Sequence, residues 1–272
     1  MAIQIGPAMI EFVTAETFVR RVAGPHATEP FILRCKSKEG LVDVFTKVAW
    51  AGCPVAGLAS EVITNALALD LGFSVPQAVY VDYDDDFIDA VRMVEPIIAA
   101  RMKNSVRPAF GTVKLPHGLA DAQAVPADVS TAELARIWAF DCITLNPDRR
   151  TGKPNCMTDG TRIYLIDHEK ALYCQLLGSI VCPYPWVAGA LRDGERRACH
   201  LFTAHIRGHQ GALIELRDKI DVLDDAVLDG YAGLLPATWT GHEEHASRAV
   251  AYLKLLRQNL DPTFSELYGA LQ

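Results

Sequence analysis

Asp148, Asn155 and Asp167 have the types and spacing for phosphoryl transfer. They lie in residues 140–172, which read F-D-C-I-T-L-N-P-D-R-R-T-G-K-P-N-C-M-T-D-G-T-R-I-Y-L-I-D-H-E-K-A-L. Transfer from ATP requires one carboxylate to orient the attacking hydroxyl, and a second carboxylate with an amide oxygen to hold Mg2+ against the phosphates. Asp148 suits the first task, and Asn155 with Asp167 suits the second. For the three to share a cleft, a helix must end in a polar loop and lead into a short hairpin. The second strand of that hairpin, residues 162–166, delivers Asp167 at its end, and the turn pair Asp159 and Gly160 brings the loop ends together. Asn146, beside Pro147 where the helix is ending, is expected to cap that helix or brace the loop. Residues 151–154 are expected to bulge outward at little entropic cost.

The elements around this segment follow from periodicity. Residues 9–13 and 31–35 read as strands, and residues 42–48 alternate Val42, Val44, Thr46 and Val48 against Asp43, Phe45 and Lys47, after a polar turn at 36–40. Residues 55–71 place Leu58, Val62, Ala66 and Leu69 at helical spacing and stop at Gly72. Residues 78–82 return to strand, and Asp84, Asp85 and Asp86 open a helix running towards Met102. Residues 103–128, rich in Pro, Gly and polar types, read as a linker carrying one short strand around 110–115. Ser130 and Glu133 form a capping-box pattern for a helix over 131–145, with Leu134, Ile137, Trp138 and Ile143 on its buried side. Helices over 213–223, 225–234 and 243–260 follow, with Pro236 and Pro262 as breaks. A β-rich front and a helical back make an α+β chain.

Composition narrows the function classes. The 272 residues are enough for one large domain or two parts sharing a cleft, and 50% hydrophobic with 22% charged residues is a globular balance. A net charge of −7 without a basic run argues against broad nucleic-acid binding. No apolar stretch reaches the roughly 20 residues needed to span a bilayer, so a cytoplasmic location is expected. The seven cysteines, at 35, 53, 142, 156, 174, 182 and 199, form no C-x-x-C pair and read as thiols, neither a disulfide framework nor a zinc site.

The catalytic stretch resembles the HipA-like kinases, particularly their small single-chain branch. It carries Asn146-Pro147-Asp148-Arg149, Pro154-Asn155 and Ile166-Asp167-His168, and its loops are more distantly similar to those of phosphoinositide kinases. The resemblance extends over most of the chain, through Gly24 and Pro30, Lys47, Ala56-Gly57-Leu58 with Glu61, residues 72–76, Phe110-Gly111, Leu235-Pro236 and Trp239. It implies a two-lobed protein-kinase-like fold, with a β-rich N-terminal lobe over residues 1–110 and a helical catalytic lobe over 111–272. It further implies that Lys47 contacts the ATP phosphates, that Glu61 holds that lysine, and that the adenine meets the backbone at Val113, Lys114 and Leu115. Read alone, Lys47 and Glu61 fit solvated strand and helix faces equally well. Two departures stand out: the turn at 36–40 has a single glycine, and Lys153 occupies the place of a second asparagine in the loop.

The acceptor implied by the resemblance is a protein serine or threonine hydroxyl. A small-molecule or lipid-headgroup kinase is the alternative enzyme, and a catalytically idle nucleotide-binding module is the alternative outside enzymes. His242-Glu243-Glu244-His245 lacks the H-E-x-x-H spacing and reads as an exposed helix start, while His200, His205 and His209 read as surface or core residues.

Overall fold

The computed structural model describes residues 9–22, 28–115, 120–121, 128–172, 183–191 and 200–272. Gly24, Cys174, Cys182 and Cys199, and most of 116–127, lie outside them. The chain is mixed α and β, sheet-rich in its N-terminal region and helical towards its C-terminus.

Five strands close a barrel in the order β1-β2-β3-β5-β4, formed by β1 (Glu11–Arg21), β2 (Phe31–Ser37), β3 (Gly40–Lys47), β4 (Ala78–Asp82) and β5 (Ala109–Val113). Neighbours pair antiparallel except β1 and β4, which run parallel and close the barrel. Alternation places Leu33 and Cys35 inside, with Arg34 and Lys36 outside. The β2–β3 turn ends at Gly40, whose φ of 132° favours glycine. A second glycine is required by crowding: a Cβ on Gly111 would meet the Val44 side chain, and the Phe45 carbonyl oxygen at 3.2 Å.

Helix α1 (Val55–Asp70) leaves the barrel after Lys47 and ends in Gly72 at φ 81°, where the Phe73 N–H donates to the Ala68 carbonyl at 2.9 Å. Its buried residues run almost continuously from Gly57 to Ala68, because it is enclosed on all sides. Leu58, Val62, Ile63 and Leu67 share one core with the helices that follow, whereas Val13, Leu33, Val44 and Val79 fill a separate barrel core. Helix α1 therefore packs as part of the helical half.

Three sequence expectations change. The helix expected to run towards Met102 is two helices, α2 (Asp85–Arg92) and α3 (Pro96–Asn104). Asp84 caps the first, accepting from the Phe87 N–H at 2.8 Å, and Pro96 forces Glu95 out of helical geometry before the second. The short strand expected around 110–115 within a linker is β5, a full barrel strand that pairs with both β3 and β4 and keeps register through Val113. The helix expected over 243–260 is α7 (Glu243–Gln258), but Pro262, expected as a break, lies in the first turn of a further helix, α8 (Leu260–Ala270), where its missing N–H costs nothing. The remaining helices are α4 (Thr131–Ile143), α5 (Ala212–Asp221) and α6 (Asp225–Gly233). A second sheet of β6 (Ala120–Asp121), β7 (Cys156–Thr158) and β8 (Ile163–Leu165) carries the hairpin. Among the described residues, Cys35, Cys53, Cys142 and Cys156 are buried thiols outside any disulfide, and no helix is long and apolar enough to cross a membrane.

Candidate active site

Three elements converge on Lys47, the last residue of β3. Its ammonium pairs with Glu61 of α1, with Asp167 Oδ1 at 2.6 Å and with Glu169 Oε2 at 3.4 Å. Burial alone would lower its pKa, but the three carboxylates outweigh this and hold it charged, well above its ordinary value. Glu61 also accepts from the His168 backbone N–H at 2.9 Å, so one carboxylate ties the barrel lysine to the chain just beyond Asp167. Asp167 takes a left-handed φ of 61°, which aspartate tolerates better than most residues. Burial would raise its carboxyl, but Lys47 and then Lys153 hold it down at about 2. Glu61 is pushed up to about 7, because burial outweighs the pull of Lys47 in a cluster with more carboxylates than lysines.

The loop after α4 hangs on a buried brace centred on Asp141. Arg149, fully buried, donates to Asp141 Oδ2 at 2.6 Å and also to the Asn155 carbonyl. His200 Nε2 lies 2.9 Å from the same carboxylate, and Asn146 Nδ2 donates to its other oxygen at 2.9 Å. Asn146 Oδ1 in turn accepts from the Asp148 N–H at 3.1 Å, so Asn146 braces the loop. Burial would raise the Asp141 carboxyl, but Arg149 and then His200 bring it down to about 2.

At the hairpin mouth Cys156 pairs with Leu165, and the Ile166 N–H donates to the Asn155 carbonyl at 3.1 Å, so antiparallel pairing sets Asn155 opposite the strand that leads to Asp167. The Asn155 amide nitrogen donates to the Asp148 carbonyl oxygen at 3.2 Å and to Asp148 Oδ2 at 3.3 Å. Both partners only accept, which fixes the amide orientation and leaves its oxygen without a protein donor among the described residues.

Residues 151–154 bulge only in part: Thr151 and Gly152 are exposed, as expected, whereas Lys153 and Pro154 are half-buried. Arg150 and Lys153 exchange backbone hydrogen bonds at 3.0 and 2.9 Å around Gly152 at φ 82°, and this tight turn aims Lys153 inward. Its ammonium pairs with Asp148 Oδ2 and lies 3.9 Å from Asp167 Oδ2.

The structure thus gathers Lys47, Glu61, Asp148, Asn155 and Asp167 into two linked groups that share Asp167. Glu61, Asp167 and Glu169 offer carboxylate oxygens within 4.8 Å of one another and could hold a metal ion. At the expected adenine edge, the Val113 N–H donates to the Gln77 carbonyl at 2.9 Å and the Lys114 N–H to the Asp43 carbonyl at 2.8 Å, so both donors serve the barrel. Leu115 is half-buried beside them. Sequence reasoning passed over Glu169, Asp141 and His200. For Asp141 a signal existed, a carboxylate within the otherwise apolar run 137–143 at the end of α4; for His200, 59 residues from its partner, there was none. His245, expected at an exposed helix start, is buried with Nε2 2.8 Å from Ser60 Oγ.

A family model described as HipA-like kinase matches residues 17–179, more than half of the chain. The chain belongs to the HipA-like kinase family. The matched span contains every residue of the site just described except His200. No curated protein sequence matches the chain. Among solved structures, the crystal structure of a Helicobacter pylori proinflammatory kinase, CtkA, is similar in fold, with a TM-score of 0.54 at 11% identity over 96% of this chain and 99% of that one.

Proposed function

We propose that the chain transfers the γ-phosphate of ATP, with Mg2+, to a hydroxyl, and that the acceptor is a protein serine or threonine. The observation that carries this reading is Lys47 paired with both Glu61 and Asp167, while Asp148 is joined to the same Asp167 through Lys153. Family membership supports a kinase.

In this reading the fold works as two lobes, divided in sequence near residue 110 except that α1 packs with the helical half, and nucleotide lies in the cleft between them. The adenine rests at the connection, residues 113–115. Lys47 contacts the phosphates, and Glu61 keeps the ammonium extended towards them. Asn155 and Asp167 hold the metal. Their chemistry suits it: Lys47 and Lys153 favour the ionised form of Asp167, the Asn155 amide oxygen has no protein donor among the described residues, and Mg2+ prefers hard oxygen ligands. Bound Mg2+ supplies charge neutralisation to the phosphates. Asp148 orients the acceptor hydroxyl and accepts its proton, and the Asp141–Arg149 brace keeps the Asp148 backbone in place.

Incubation with ATP labelled at the γ-phosphate, alone and with cell lysate, tests the proposal. Label should pass to protein bands, and Asp148→Asn should suppress transfer while sparing nucleotide binding. Equal transfer by the variant would remove Asp148 from the mechanism, and ATP binding without any transfer would leave only a nucleotide-binding module.

A further inference from the structure

Lys153 sits where a cation is needed. Its ammonium pairs with Asp148, the residue assigned to the acceptor, and lies 3.9 Å from Asp167, the residue assigned to the metal. The closed turn between Arg150 and Lys153 fixes its backbone, so this placement does not depend on a wandering surface side chain. Its side chain is 28% exposed, against 50% for Arg34 in the barrel-surface pair with Asp43. Glu61, Asp148, Asp167 and Glu169 face Lys47 and Lys153, with Lys170 3.9 Å from the other oxygen of Glu169, so the ammonium of Lys153 is the one that stands between Asp148 and Asp167. A second divalent cation between Asp148 and Asp167 would be pressed against an ammonium already beside both carboxylates.

Protein kinases hold two Mg2+ ions between the nucleotide and the corresponding carboxylate and amide. We propose that here Lys153 serves as the second cation of the phosphate site, so that the chain binds one divalent metal per nucleotide. The inference rests on the ATP-dependent reading above. When nucleotide enters, the Lys153 ammonium contacts the terminal phosphate and frees Asp148 Oδ2 for the acceptor hydroxyl, so nucleotide precedes acceptor.

The test is a titration of Mn2+ into the full chain with a non-hydrolysable ATP analogue, with free Mn2+ read by electron paramagnetic resonance. Wild type should bind one Mn2+ per nucleotide, Lys153→Arg should do the same, and Lys153→Gln should bind a second at least tenfold more tightly than wild type does. Two equivalent ions in wild type, or one ion in both wild type and Lys153→Gln, would overturn the proposal while leaving the kinase reading standing. Failure of the wild-type chain to bind the analogue at all would overturn both. If Lys153→Gln does not fold, Lys153→Met takes its place, with the same second ion expected and a single ion again overturning the proposal.

Discussion

Replacing Asp141 by Asn removes one charge from the centre of the brace and changes little in shape. Arg149 is then left fully buried without its counter-charge, a situation that costs about 3–5 kcal/mol. Proton linkage gives an independent lower figure. The fall of the Asp141 carboxyl from its ordinary 3.8 to about 2, at about 1.36 kcal/mol per pH unit, corresponds to about 2.5 kcal/mol of stability at neutral pH. Because the folded pKa lies below the unfolded one, this contribution is complete above about pH 4 and is lost as pH falls through about 2. Urea unfolding of wild type and Asp141→Asn from pH 7 down to 3 should show a gap of at least about 2.5 kcal/mol at pH 7 that narrows below pH 4. A gap under about 1 kcal/mol at pH 7, or one indifferent to pH, would refute the claim that this ion pair holds the loop.

Lys47→Met should leave the fold intact and lower kcat/KM for ATP by about 10- to 100-fold, the worth of one or two charge-assisted hydrogen bonds; unchanged kinetics in a folded variant would reject Lys47 as the phosphate contact. His245, buried against Ser60, has its pKa pushed down to about 4 by burial and then by His242. Its folded pKa is below the unfolded value near 6.5, so stability is full above that pH and declines by about 3 kcal/mol as pH falls to about 4. His245→Gln, followed by thermal melts across this range, should show a flatter profile, and parallel curves would sink the assignment.

Local signals carried the sequence reading where one element decided its own shape. Residues 31–35 and 55–71 became β2 and α1 almost at the expected bounds, since alternation and helical spacing are read within a single element. The loop and hairpin over residues 146–167 were legible for the same reason: the Asp159-Gly160 turn and its flanking strands are contiguous, and Asn146 braces the loop. What escaped depended on distant partners. The strand around 110–115 was legible as β5, but its place in the barrel was not, because its Gly111 matters only when it lies between β3 and β4. His200 and Glu169 acquire their places only once the chain has folded onto Asp141 and Lys47. Lys153 was read as a departure in a loosened loop, because the reciprocal Arg150–Lys153 hydrogen bonds that turn it inward leave no trace in composition.

The most direct measurement is a structure of the chain with Mg2+ and a non-hydrolysable ATP analogue. The Asn155 side-chain oxygen and the Asp167 carboxylate are expected at about 2.0–2.1 Å from the metal, with Lys47 on the phosphates and Asn146 still bound to Asp141. Metal held by Asn146 with Asn155 turned to solvent, or nucleotide bound away from Lys47, would contradict that placement.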